Sequence, residues 1–214
     1  MKYKTLLKHN IQFITHQTNA YNHYQSALMA LEGGVTWIQL RMKDCSMEFV
    51  KQQAQLVQNA CKKHNALFFI DDYVELAADL QADGVHLGQK DMPIAQARQI
   101  VGNQLYIGGT ANTFEQIKQL HKDGVDYVGL GPFAYTETKK NLSPILGVEG
   151  VKEIINQCRA NNIHLPIHII GGIKKEDAPS ILQAGANAVA VSSAILNSEN
   201  PIQEAADFVS SLNH

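Results

Sequence analysis

Cysteine is scarce in this chain. Cys45, Cys61 and Cys158 are the three among 214 residues, an odd set without metal-like spacing. That excludes a disulfide scaffold and a Cys/His zinc site. Cys61 and Cys158 fall inside helical patterns, as ordinary buried or half-buried thiols do, and a reducing cytoplasm is the compartment this implies. No apolar run approaches the length of a membrane span. The basic start, Met1-Lys-Tyr-Lys-Thr-Leu-Leu-Lys-His, lacks the apolar stretch of a signal peptide, so none is expected. Net charge is small as well: 18 Lys and Arg against 20 Asp and Glu leave −2, which gives no general pull toward nucleic acid or a membrane surface. A bound anion must therefore meet positive charge focused locally. Nucleophile elbow, P-loop and dinucleotide fingerprint are all missing.

What the chain does have is a core and an alternation. Its hydrophobic content is 45%, well above the disordered range. Short apolar runs read as strands: Ile11–Thr15, Trp37–Met42, Leu67–Ile70, Gly84–Leu87, Leu105–Gly108, Tyr127–Leu130, Ile167–Ile170 and Ala188–Val191. Amphipathic patterns follow them at Tyr21–Leu31, Met47–Lys63, Val74–Gln81, Pro93–Val101, Thr113–Lys122, Val151–Asn161, Lys175–Gln183 and Pro201–Leu212. Strand–helix alternation argues for a parallel sheet with crossover helices. Eight pairs in this length predict an α/β fold, a single (β/α)8 TIM barrel over residues 1–214 without a linker. An open doubly wound sheet is the alternative, since strand order is invisible in a sequence. An internal echo supports the barrel: Glu32-Gly-Gly-Val35, Ala82-Asp-Gly-Val85, Lys122-Asp-Gly-Val125 and Ala184-Gly-Ala-Asn187 each lead into an even-numbered strand. Each reads as a helix ending at a left-handed glycine.

Barrel chemistry sits where strands end. Strand two ends Gln39-Leu-Arg-Met-Lys43, and alternation puts Gln39, Arg41 and Lys43 on one face. They make either internal ion pairs or a cationic wall for a phosphate or diphosphate. Strand three ends Ile70-Asp71-Asp72, and Gln89-Lys-Asp91 follows strand four. Those carboxylates suit Mg2+, which takes one or two carboxylates plus substrate oxygens. They would equally serve as caps for the next helices. Thr110 ends strand five, where its hydroxyl can face a ligand, while Thr113 reads as a helix cap with Gln116. A long loop after strand six carries Thr136, Thr138, Lys139 and Lys140, and it is either a solvated surface loop or a holder of a phosphorylated ligand, for which these are the groups needed. Gly171-Gly172 after strand seven, with Ser192 and Ser193 after strand eight, matches the phosphate cup many barrels share. His86 and His168 lie within strands and read as structural.

These residues resemble the thiamine-phosphate synthase family from Phe13 to Ile195. The resemblance rests on Gln39-Leu-Arg-Met-Lys43, Asp71-Asp72, Ala82-Asp-Gly-Val-His-Leu-Gly-Gln-Lys-Asp91, Asp123-Gly-Val-Asp-Tyr-Val-Gly-Leu-Gly-Pro132, Thr136-Glu-Thr-Lys139, Gly171-Gly-Ile173 and Ser193-Ala-Ile195. It implies a transferase joining hydroxymethylpyrimidine diphosphate to a thiazole phosphate, with diphosphate leaving first. It further implies that Gln39, Arg41, Lys43 and Thr110 contact the pyrimidine diphosphate and that Asp72 and Asp91 hold Mg2+. Thr136 and Thr138 would meet the thiazole, Lys139 the diphosphate, and Gly172, Ser192 and Ser193 the thiazole phosphate. Three positions depart from the family pattern. Asp71 stands for asparagine, where it would join the metal ligands or repel diphosphate. Met42 stands for glutamate, and Ser192 for an apolar residue. A thiazole tautomerase-like barrel and a catalytically silent thiamine-phosphate binder are the rival readings.

Overall fold

In the computed structural model, which describes residues 5–136 and 144–212, the apolar runs become eight parallel strands. They are β1 (Ile11–Ile14), β2 (Trp37–Leu40), β3 (Leu67–Asp71), β4 (Gly84–Leu87), β5 (Tyr106–Ala111), β6 (Tyr127–Leu130), β7 (Ile167–Ile170) and β8 (Ala188–Val191). The strands close in sequence order, with β8 pairing β1 through Ile11 opposite Val189. That closure removes the open-sheet alternative. The helices are α1 (His23–Glu32), α2 (Met47–Lys63), α3 (Val74–Asp79), α4 (Ile94–Val101), α5 (Phe114–Asp123), α6 (Gly147–Ala160), α7 (Ala178–Gln183), α8 (Ser193–Leu196) and α9 (Pro201–Ser211). No helix among the described residues is long and apolar enough to cross a membrane.

Capping chemistry sets several helix starts. Asn22 forms a capping box with Gln25, and Ser46 accepts the Phe49 N–H, each satisfying an orphan donor of a first turn. Strand β2 stops two residues short of the expected Met42. The Arg41 N–H leaves the ladder to donate to Thr15 Oγ1 at 3.1 Å, which puts Arg41 and Lys43 on the loop beyond the strand. The expected helix Lys175–Gln183 divides into a 3-10 turn, Lys175–Asp177, and α7.

The internal echo is physical, but its register differs from the one read in sequence. Glycines take the left-handed slot after α1, α5 and α7: Gly34 at φ 90°, Gly124 at 83° and Gly185 at 102°. After α3 that slot belongs to Gln81 at φ 51°, and Gly84 opens β4 instead. There a Cβ would lie 2.3 Å from the Phe69 ring, so the position must stay small to leave room inside the barrel. The residues that correspond are those just before the even strands. Asp83 accepts the Phe68 N–H at 2.8 Å, Asp126 the Ile107 N–H at 2.8 Å and Asn187 the Ile167 N–H at 2.9 Å. Each clamps the start of the preceding odd strand.

Strand side chains alternate between two cores. Ile38, Leu40, Phe68, Ile70, Val85, Val128 and Ile169 face outward beneath the helices. Trp37, Phe69 and Tyr127 face inward and pack with Leu6, from the turn before β1, as a plug at the amino-terminal end. The side chains above that plug form the site.

Candidate active site

The carboxyl ends of β2 to β4 gather the charged residues expected there. Gln39 is buried and donates its amide to Asp71 Oδ1 at 2.8 Å. Arg41 Nε lies 3.5 Å from Asp71 Oδ2, and Lys43 Nζ lies 2.9 Å from Asp72 Oδ2. In this state both cations are therefore ion-paired rather than a bare cationic wall. Asp72 and Asp91 share a side-chain hydrogen bond, and Asp91 Oδ2 also accepts the Gly88 N–H at 2.6 Å. None of the three carboxylates caps a helix: the N-cap positions of α3 and α4 are Tyr73 and Pro93, without a side-chain cap bond.

Crowding of carboxyls governs protonation. Burial, then the Asp72 charge, pushes Asp71 up to about 7 against the pull of Arg41 and Lys43. Burial and the Asp91 contact raise Asp72 as well. Asp91 moves the other way. Burial works against its ionisation, but hydrogen bonds from Asp72 and Gly88 hold it below the ordinary carboxylate value. The contact thus favours a proton on Asp72 over one on Asp91. For Lys43, burial opposes the charge and the Asp72 hydrogen bond outweighs it, so its pKa is raised. Asp72 sits at φ 69°, in the left-handed region, a conformation that clusters at functional sites. Its Oδ1 is buried without a hydrogen-bond partner among the described residues. An orphaned carboxylate oxygen beside a second carboxyl is a donor set that fits Mg2+. Among the described residues no three His, Cys, Asp or Glu side chains cluster as a metal cage.

The opposite side of the mouth is built by β5 to β8. Thr110 lies at the end of β5 with Oγ1 2.9 Å from His86 Nε2. Asn112 donates to the Gly131 carbonyl and ties the β5 exit to the β6 exit. The long loop after β6 is seated on β7: Phe133 N–H donates to Ile170 O at 2.9 Å and Ala134 N–H to Gly171 O at 3.0 Å. Gly172, at φ 72°, faces this loop so closely that a Cβ would lie 2.5 Å from the Tyr135 carbonyl oxygen. Only glycine suits the position. Thr136 ends the described part of the loop, half-buried; Thr138, Lys139 and Lys140 lie outside the described residues. Ser192 precedes α8, its Oγ buried without a partner among the described residues, and Ser193 opens that helix.

Sequence reasoning passed over the layer between plug and mouth. Gln12, Gln39, His86, His168 and the Tyr127 hydroxyl form a connected polar layer across the barrel interior. His86, read as structural, bridges Tyr127 and the site residue Thr110. The available signal was a glutamine inside each of two adjacent apolar strands, at 12 and 39, which burial obliges to find partners.

Fold and charged mouth define a class, the TIM barrels, whose enzymes work at the carboxyl ends of their strands. Comparison with known proteins narrows it. The family model described as thiamine monophosphate synthase matches residues 11–195. A thiamine-phosphate synthase of Phocaeicola vulgatus is 55% identical over 194 residues, covering 91% of this chain and 93% of the relative. One from Bacteroides thetaiotaomicron is 54% identical over 195 residues, covering 91% and 93%. Among solved structures, thiamine phosphate pyrophosphorylase from Pyrococcus furiosus superposes with a TM-score of 0.86 at 30% identity, covering 98% of each chain. The chain belongs to the thiamine monophosphate synthase family. It is a transferase of thiamine biosynthesis.

Proposed function

We propose that this chain condenses hydroxymethylpyrimidine diphosphate with a thiazole phosphate, giving thiamine phosphate and inorganic diphosphate. The observation that carries the reading is the cluster Arg41–Asp71, Lys43–Asp72–Asp91 at one mouth, with an orphaned Asp72 oxygen. Asp72 and Asp91 are the residues that would hold Mg2+. Bound there, the ion would neutralise diphosphate oxygens and so favour their departure.

The protein side chains do the rest. Gln39 and Thr110 orient the pyrimidine diphosphate, and Arg41, Lys43 and Lys139 meet the charge that gathers on it as the carbon–oxygen bond breaks. The electron pair of that bond leaves with diphosphate. The thiazole nitrogen then supplies a pair to the electron-poor methyl carbon. Its phosphate is held by backbone at Gly172 and by Ser192 and Ser193, and the ring by Thr136 and Thr138. Phe133 and Ala134, seated on the β7 exit by their backbone N–H groups, would help keep water from the reacting carbon. Asp71, in place of the family asparagine, serves the substrate side by holding Gln39 and Arg41. Free Cys45, Cys61 and Cys158 suit a reducing cytoplasm.

Diphosphate release, measured with both substrates and Mg2+, tests the reading. Release that depends on both substrates is the expected result. No release would leave a tautomerase or a silent binder.

A further inference from the structure

We propose that Gln12, buried on β1, is a positioning residue whose amide orientation sets the direction of two hydrogen-bond chains and thereby makes Thr110 a donor toward diphosphate. The inference rests on the diphosphate chemistry proposed above and adds a residue below the mouth to it.

Gln12 is 2% exposed, and its two amide ends face different partners. The nitrogen is 2.7 Å from Gln39 Oε1 and 3.4 Å from the Tyr127 hydroxyl; the oxygen is 3.3 Å from His168 Nδ1. A nitrogen that donates twice and an oxygen that accepts satisfy the group. One chain then runs through Gln39. With its oxygen occupied, Gln39 turns its nitrogen to Asp71 Oδ1, and Asp71 receives Arg41 on its other oxygen. The second chain runs through Tyr127. Burial raises its pKa and keeps it a phenol. Among the described residues the hydroxyl has two partners, Gln12 as donor and His86 Nδ1 at 2.9 Å, so His86 is the acceptor left for its proton. A neutral imidazole that accepts at Nδ1 carries its proton on Nε2, and Nε2 is 2.9 Å from Thr110 Oγ1. Thr110, having accepted, gives its own proton to the mouth.

Reversing the Gln12 amide would reverse both chains. Its oxygen would oppose the Gln39 oxygen, Tyr127 would donate backward, and His86 would accept from Thr110. The hydroxyl at the end of β5 would then present lone pairs to a polyanion. The polar layer thus resembles a wired array with one polarity-setting member, and buried networks of this kind act as units.

Two proteins, wild type and one variant, test this. Long-range 1H–15N correlation on the wild-type protein reads the His86 tautomer directly, and the Nε2–H form is expected. The second uses Gln12→Met, which keeps the shape and removes both polar ends. It is expected to weaken binding of inorganic diphosphate in Mg2+, measured by calorimetry, by about tenfold, the worth of one hydrogen bond. The same variant is expected to lower kcat/KM for the pyrimidine diphosphate while leaving the KM for thiazole phosphate unchanged, a split that general loss of folding would not give. A wild-type His86 protonated on Nδ1, or a folded Gln12→Met with unchanged diphosphate affinity, overturns the proposal. If Gln12→Met does not fold, the wild-type tautomer decides alone. Diphosphate binding with the Nε2–H tautomer but without thiamine phosphate formation would support the positioning role and sink the reaction instead.

Discussion

His168 shows what one buried side chain does to the whole. It is 1% exposed, stacked edge-on against Trp37 at 4.7 Å between centroids, with Nε2 unpartnered among the described residues. Burial, with His86 and His9 nearby, drives its pKa from 6.5 down to about 3. Between those values the unfolded chain binds a proton that the folded chain refuses. Stability is therefore full above pH 6.5 and falls as pH drops toward 3. The gap between those two values sets a ceiling on the order of 5 kcal/mol. His23, lowered to about 4 chiefly by burial, adds to the fall. Urea unfolding across this range is expected to show a steep loss for wild type and a shallower one for His168→Gln; equal slopes would refute the assignment. At this scale the mouth residues were legible, because alternation along one strand is enough to put Gln39 and Arg41 together. Gln12 was not, because its role depends on facing Gln39 and Tyr127 across a closed interior, a relation no single strand encodes.

Strands and helices were legible by period, and their ends were decided by side-chain hydrogen bonds that the pattern does not carry. β2 ends because Thr15 captures the Arg41 N–H. The clamps before the even strands show the same logic. Asp126 accepts both the Ile107 N–H and the Arg98 guanidinium, at 2.8 and 2.7 Å. Asp126→Ala would leave the guanidinium short of its anion, although the Gly102, Leu105 and Gly124 carbonyls still hold it. A loss of about 2 kcal/mol in urea unfolding is expected, and a change under about 0.5 kcal/mol would refute the clamp. Gly172→Ala tests the contact between the β6 and β7 loops. The added methyl meets the Tyr135 carbonyl and a left-handed backbone, so a cost of about 1–2 kcal/mol is expected. Diphosphate release should fall further than stability explains, because the loop that carries Thr136 must shift. Turnover equal to wild type would separate that loop from the reaction.

Charge over the whole molecule decides how the mouth meets a polyanion. The net charge is −2, so no broad positive field draws diphosphate in. Locally, Arg41 and Lys43 face Asp71, Asp72 and Asp91, so among the described residues the fully ionised mouth is short of positive charge by one. One proton on these carboxyls, which the raised pKa values of Asp71 and Asp72 favour, brings it only to balance. Diphosphate alone is therefore expected to bind weakly in EDTA, and tightly once Mg2+ adds two charges and releases Lys43 from Asp72. Asp91→Ala makes the argument two-sided. Removing a carboxylate lessens repulsion, so diphosphate binding in EDTA should stay equal or improve. Removing a metal ligand should at the same time cost at least about tenfold in the Mg2+-dependent affinity. Calorimetry with inorganic diphosphate, with and without Mg2+, on both proteins gives the four values. Equal loss in the two buffers would mean that Asp91 holds the anion itself or the fold; a loss confined to Mg2+ places the ion at that carboxylate.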